Sequence, residues 1–527
     1  MTKRKNKFIF YFLILLIIYG IYCAVIIGKN WDSFFFIGIG KDRLSYLLSL
    51  GQNSLNDHFV AKMYPGIYNT LSAFFLNIFP KSFELEGYHL INFTTSFFAS
   101  VGLYKLTKEI LNKECAIFAF FIFFLNPIYF GHMAINDRDT VVVFSNIWIT
   151  YYVFKYLNFK LNKNKQYVYY ISCLLALGLG VRFAFVATLL PIFIYALFIL
   201  YKNKKKINFR YIVSDFIKVL FISIVIILLF WAPVHINLIT EPINLINLSF
   251  QHGWGYPFTF FNGIIYESGK IPISYIFISL FFKIPEYILF LYLIFIIFFK
   301  DIKIFVSKFI DNFTNKVVFI FLNIFIPSAL LIFNPFAIYD GLRLFLFVLP
   351  YVSIIAAITI FYLKNNLKNK INKSIFIVNG VLGIYFLIFF IGLTPYHYTY
   401  VNSLSGKYSN ANNRFENDYW GTSLKELIKK TKKNKYFLSK KIIKLNVCGV
   451  SASTVKYYIK ENNIENIIIV NENNEPEYVI LTNRVPLSYN KNIDNKKHTC
   501  FNKYRGENIL SVKRNGLILS SIKKIED

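Results

Sequence analysis

Cysteine, methionine and acid are scarce in this 527-residue chain, which has 5 Cys, 3 Met and 28 Asp+Glu against 58 Lys+Arg. Five cysteines are too few to staple a chain of this length, so a disulfide scaffold is excluded. Cys448 and Cys500 both lie in the polar tail and would pair if that tail is extracytoplasmic, whereas Cys23, Cys115 and Cys173 sit in apolar segments. No second histidine stands at ligand spacing from His132, which sets zinc aside. The shortage of acid leaves a formal charge of +30. That charge does not point to nucleic acid, because the basic residues come in short runs between apolar spans. No small-x-small cleavage site follows residues 8–27, and this stretch is too long for a signal-peptide core, so it reads as an uncleaved first helix. An internal repeat of the paired-half transporter kind is also missing.

What is present is lipid-soluble. The chain is 56% hydrophobic and 20% aromatic, with mean hydropathy +0.47, well above an average soluble domain. Apolar stretches long enough to cross a bilayer run over 8–27, 88–106, 116–130, 141–156, 167–181, 184–201, 211–231, 273–299, 317–333, 342–363 and 374–393. The expected fold is therefore an α-helical polytopic membrane protein with about eleven transmembrane helices. Lys3-Arg4-Lys5 and the basic runs 105–113, 155–165, 202–210, 300–308 and 364–373 all fall on one side if the N-terminus is cytoplasmic. The opposite face then receives 29–87, 131–139, the turn at Arg182, 233–272, 334–341 and everything beyond Thr394. In the first outer loop, 41–53 and 64–79 read as interfacial helices. Beyond Thr394 a basic helical stretch (423–433) and two strand-like runs (464–470 and 478–481) indicate a small α/β domain. The division expected is 1–393 for the membrane module and 394–527 for an extracytoplasmic domain.

Chemistry-bearing residues gather on that outer side. Asp32, in Trp31-Asp32-Ser33-Phe34, is an acid held at the membrane surface beside aromatics, a setting that raises a carboxyl pKa and suits a base. Residues 131–139 bring His132, Asp137, Arg138 and Asp139 into one short loop. Asp139 opens the next helix, where it would cap, while the carboxylates of this loop, as hard oxygen ligands, would also suit a Mg²⁺, Mn²⁺ or diphosphate site. Arg182, in Leu179-Gly180-Val181-Arg182, and Arg343, in Tyr339-Asp340-Gly341-Leu342-Arg343, are cations at one depth, suited to phosphate or to interfacial snorkelling. Lys270 precedes a helix on the same face, as a substrate contact or a membrane anchor.

In this order the motifs Trp31-Asp32, Phe130-Gly131-His132-Met133, Ile135-Asn136 with Asp139, Leu179-Gly180-Val181-Arg182, Tyr339-Asp340-Gly341-Leu342-Arg343 and Asp418-Tyr419-Trp420-Gly421-Thr422-Ser423 resemble the polyprenyl-phosphate-dependent membrane glycosyltransferases of the GT-C fold. The bacterial relatives of protein O-mannosyltransferases and aminoarabinose transferases are the nearest pattern. The resemblance implies a transferase that moves a sugar from a polyprenyl-phosphate donor to an acceptor hydroxyl at the outer face of the cytoplasmic membrane, by a single inverting displacement. It makes Asp32 and Asp139 catalytic, with a divalent cation between them as an option, and sets Arg182 and Arg343 near the donor phosphate; His132, Asp137, Lys270 and Asp340, on the same outer face, are the further candidates for substrate contact. Two positions depart from the pattern: Ser33 stands where relatives often carry a second acid, and Lys62-Met63-Tyr64-Pro65 lacks a Glu-Lys pair. The expected partners are the lipid-linked donor, membrane lipid and a protein, lipid or polysaccharide acceptor, with no nucleic acid. A flippase for a lipid-linked glycan and a non-catalytic binding protein are the rival readings.

Overall fold

The structure is a computed structural model that describes residues 2–55, 64–158, 166–204, 209–249, 256–333, 337–439, 442–487, 489, 499–504 and 506–526. Lys62 and Met63, the basic segments 159–165 and 205–208, and parts of the expected outer loops 29–87, 233–272 and 334–341 lie outside those residues.

The chain is an α-helical membrane protein with a small C-terminal α/β domain. Six described helices are long and apolar enough to cross a bilayer: 7–26, Phe185–Lys202, Phe209–Phe230, 313–330, 343–365 and Lys370–Gly392. Tyr275–Lys283 and Glu286–Ile297 make a seventh if counted as one span bent by 113°. The difference from the eleven expected has a physical cause. Glu84–Ile110 and Asp139–Asn158 span about 40 and 30 Å at 1.5 Å per residue, but they bury Asn92, Ser96 and Ser100, and Ser145, Asn146 and Thr150, in the protein interior. Inward-facing polar groups lower their hydropathy without shortening them. The stretch expected to run unbroken over 116–130 is two helices, Lys113–Phe124 and Pro127–His132. Asn126 accepts the amides of Ile128 and Tyr129, and Pro127 starts the second helix. At 273–299 the chain breaks before Pro285, where Ile284 is extended.

Helix Leu349–Asn365 is the axis of the bundle and is almost wholly buried, with Lys113–Phe124, Glu286–Ile297, Phe313–Phe333 and Lys370–Gly392 around it. Outer helices show the inverse of a soluble pattern. Phe209–Phe230 leaves Phe216, Ile217, Leu220, Phe221 and Ile224 exposed, and Lys370–Gly392 leaves Ile377, Val381, Ile384, Ile388 and Ile391 exposed. Each such side chain forgoes about 1.5–3 kcal/mol by facing water, so these faces belong in lipid.

The first expected interfacial helix begins earlier than its apolar spacing indicated, at Ser33, and runs to Leu48; the second is Ile67–Leu76. They cross closely at Gly40, where a Cβ would come 2.4 Å from the Asn69 carbonyl oxygen.

In the tail, helix Leu424–Lys433 packs beside a mixed sheet. With β1 (Phe258–Phe261) and β2 (Ile264–Glu267) forming a separate hairpin, the tail strands are β3 (Ile443–Cys448), β4 (Ile467–Ile469), β5 (Tyr478–Thr482), β6 (Asn508–Arg514) and β7 (Leu517–Lys524), in the order β4-β3-β5-β7-β6. β3 pairs parallel with β4 and β5, while β5 and β6 pair antiparallel with β7. Cys448 and Cys500 are disulfide-bonded across 52 residues, a closure of the size that stabilises a fold by about 4 kcal/mol.

Tail and bundle meet tightly at Gly131. A Cβ there would lie 2.1 Å from the backbone nitrogen of Tyr398, a clash that only backbone movement relieves. Gly131→Ala is expected to destabilise the protein by about 1–3 kcal/mol through overpacking, read as a lower thermal midpoint in detergent; an unchanged midpoint would show that this contact is loose.

Candidate active site

Five charged side chains from four regions of the chain form one buried, alternating row. Arg182 closes the turn after helix Gln166–Val181, and its Nε lies 2.6 Å from Asp139 Oδ1. Asp139 Oδ2 lies 3.3 Å from Arg343 Nε. Arg343 Nη1 donates to Asp340 Oδ2 at 2.7 Å, and the other oxygen of Asp340 accepts from Arg484 Nη2 at 3.0 Å. Arg343, Arg484 and both acids are under a tenth exposed, and Arg182 is a quarter exposed. Three guanidiniums against two carboxylates leave the row one positive charge in excess. In a desolvated setting that excess calls for an anion, and the planar guanidinium fork fits phosphate. Among the described residues the Nε groups of all three arginines make no hydrogen bond; those of Arg182 and Arg343 face Asp139 without alignment.

Local sequence places each member. Asn136 is the cap of helix Asp139–Asn158: its Oδ1 accepts the amides of Arg138 and Asp139, and its Nδ2 donates to Asp139 Oδ2 at 3.0 Å. Asp139 is thereby released from the capping role the sequence allowed it. Asp340 and Gly341 both have left-handed backbone (φ 61° and 63°), which turns the chain sharply ahead of the 3₁₀ segment Arg343–Val348. Arg343 also lies over the rings of Tyr339 and Trp420, at 4.9 and 5.1 Å.

Asp32 lies within electrostatic reach of this row, through Asp340. It is exposed, not enclosed by its aromatic neighbours as the sequence led one to expect. Asn30 makes the local turn, accepting from the Asp32 amide and the Ser33 hydroxyl. The Asp32 carboxylate has no hydrogen bond or ion pair among the described residues, and its charge reaches both Asp137 and Asp340.

The remaining candidates are placed differently. His132 is wholly buried; Nδ1 meets the Ile128 carbonyl at 2.6 Å, so it carries the proton, and Nε2 accepts from Tyr419 at 2.9 Å. Burial pushes His132 down to about 4, and the neutral ring props Tyr419 beside the row. Asp137 is occupied by the Tyr88 hydroxyl (2.6 Å) and Asn69 (2.9 Å), and burial raises its pKa. Lys270 is 78% exposed and pairs with Glu267 at 2.7 Å beside the β1–β2 hairpin, so the structure does not bring it to the row.

Asp139 does not fit the metal role either. Its two oxygens already face two guanidiniums and an amide, and a divalent cation added there would meet concentrated positive charge. The described residues contain no group of three or more His, Cys, Asp or Glu side chains placed to hold a metal.

Arg484 and Glu416 are the site residues the sequence reading missed. Both belong to the tail, of whose five strands the sequence showed two and none of the junctions. One signal was available: only 10 of the 58 basic residues are arginine, so an arginine at the end of a strand marks a place where the fork, not the charge alone, is used.

The fold and row together define a polytopic membrane protein with a desolvated, net-positive row of charges where bundle and tail domain meet. Residues 65–235 match the family described as dolichyl-phosphate-mannose-protein mannosyltransferase, which bears out the resemblance to polyprenyl-phosphate-dependent membrane glycosyltransferases. Among solved structures, the chain is similar to ArnT from Cupriavidus metallidurans in the apo state (9% identity, 98% of each chain, TM-score 0.49) and bound to undecaprenyl phosphate (9%, 98% of each, TM-score 0.48). It is also similar to the oligosaccharyltransferase of Archaeoglobus fulgidus (11% identity, 89% of this chain and 69% of that one, TM-score 0.46). No protein of curated function matches.

Glu416 supplies a pH test of the buried geometry. Burial, with the Asp340 charge adding to it and Arg484 opposing it, pushes Glu416 up to about 8. The stability of its neutral form is fully present below about 4.5, its unfolded value, and is lost as pH rises through about 8. Thermal midpoints of wild type are therefore expected to fall relative to Glu416→Gln between pH 5 and 8; parallel curves would contradict the burial of this carboxyl.

Proposed function

We propose that the protein transfers a sugar from a polyprenyl-phosphate-linked donor to an acceptor hydroxyl at the outer face of the cytoplasmic membrane. The observation that carries this reading is the buried row with one positive charge in excess, within electrostatic reach of the exposed Asp32 carboxylate. A phosphate lying against Arg182 and Arg343 would neutralise that excess, and its prenyl chain would lie along the apolar faces that meet lipid.

The chemistry follows from the placement. Asp32 takes the proton of the acceptor hydroxyl. The acceptor oxygen bonds to the anomeric carbon while the bond from that carbon to the phosphate oxygen breaks. The electron pair leaves with polyprenyl phosphate, whose added negative charge the arginines stabilise. One displacement inverts the anomeric centre, and no covalent intermediate with the protein is formed. Asp139, held between two guanidiniums, is a poor base; its role here is to keep Arg182 and Arg343 converged. The same segregation of Lys/Arg runs that orients the helices supports a cytoplasmic N-terminus, a bundle over 1–393 and an extracytoplasmic domain over 394–527. The acceptor, whether protein, lipid or polysaccharide, would approach at Asp32.

The test is release of polyprenyl phosphate from a panel of polyprenyl-phosphate sugars by purified protein in lipid with a crude acceptor extract. Asp32→Asn is expected to lower kcat by about 10²–10⁴-fold with donor KM little changed, as for loss of a general base. Asp139→Asn is expected to raise donor KM. Full turnover by Asp32→Asn would remove it as the base, and no release from any donor would remove the transferase reading.

A further inference from the structure

The tail domain does more than rest on the bundle, because Arg484 enters the row from it. The guanidinium bonds Asp340, donates from Nη1 to the Tyr419 carbonyl at 2.5 Å and stacks 3.6 Å from the centroid of Tyr256. It lies 5.0 Å from the Trp31 ring, next to Asp32 in sequence. Its backbone is as tightly held: the Arg484 carbonyl accepts from the Cys500 amide at 2.8 Å, and Cys500 is bonded to Cys448 at the end of β3. Between them Gly449 (φ 70°) packs so closely that a Cβ would lie 3.0 Å from the Arg484 Cβ and the Thr482 hydroxyl.

We propose that Arg484 is a positioning residue for donor binding: the Cys448–Cys500 disulfide fixes the backbone at Arg484 through the Cys500 amide, Arg484 fixes Asp340, and Asp340 aims the guanidinium fork of Arg343. The tail is on this account a working part of the phosphate site, and the disulfide makes donor binding sensitive to thiol reductants. The inference rests on the transferase reading for its activity arm only. Without Arg484 the row falls from an excess of one positive charge to none, and Asp340 is left with a single partner. Arg343 is then free to turn its fork toward Asp340 and away from a phosphate.

Two measurements decide it. In the first, donor kcat/KM is compared for Arg484→Gln, Asp340→Asn and the double variant. Each single change is expected to lower it about 10–50-fold, chiefly through KM, with the double variant no worse than the larger single loss. Losses that multiply would overturn action through Asp340. In the second, amide hydrogen exchange of 339–348 is followed in lipid discs for wild type, Arg484→Gln, Arg484→Lys and the Cys448→Ser, Cys500→Ser double variant. All variants are expected to open 339–348 by at least tenfold while helix Leu349–Asn365 stays protected. Lysine keeps the charge without the fork, so Arg484→Lys should open 339–348 with β3 and β7 still protected. Unchanged exchange of 339–348 in Arg484→Lys and in the cysteine variant would overturn the proposal, whether or not a donor has been found.

Discussion

Asp139 between Arg182 and Arg343 is the interaction on which the rest of the site depends. Two guanidiniums brought together at low dielectric repel each other, and they converge here because a carboxylate lies between them. Breaking a buried pair of this kind leaves an uncompensated charge, at a cost of about 3–5 kcal/mol. The surrounding structure reads as provision for that one contact. Asn136 takes over the helix cap and turns the Asp139 carboxylate outward to the arginines. The left-handed pair Asp340-Gly341 turns the chain so that Arg343 meets Asp139 and Asp340 together.

The same contact separates roles that the sequence left merged. Two acids on one face, Asp32 and Asp139, look interchangeable as base or metal ligand. One is exposed and unpaired among the described residues; the other is enclosed by cations. An exposed carboxylate accepts a proton from an arriving hydroxyl, and an enclosed one organises positive charge. The tail contributes through the same logic of alternation, since Arg484 extends the row past Asp340 and joins it to the disulfide-bonded Cys500.

Much of this was legible in the chain. The apolar spans located the bundle, and Lys/Arg runs gathered Asp32, Asp139, Arg182, Asp340 and Arg343 onto one face before any geometry was known. The breaks at Asn126-Pro127 and Ile284-Pro285 were hidden because hydropathy sums over residues and does not register a cap or a proline inside an apolar run. Polar positions on buried helices, such as Asn92 and Asn146, lower the same sum for the opposite reason. Strands β4 and β5 stood out as unbroken apolar runs, whereas β3 is interrupted by Lys444 and Asn446, β6 by Ser511 and β7 by Ser520-Ser521, and these did not. Lys270 shared a face with the site but not its location, since facing one side of a membrane does not fix a position within it. Arg484 was out of reach because the contact that matters joins segments 144 residues apart.

The central claim is that Arg182 and Arg343, held by Asp139, receive a lipid-linked phosphate. The most direct measurement is an electron cryo-microscopy map of the protein in lipid discs with polyprenyl phosphate bound. The account expects the phosphate within hydrogen-bond distance of the Arg182 and Arg343 guanidiniums, with Asp32 facing the open side. A phosphate seated elsewhere, with the row closed and unchanged, would contradict it.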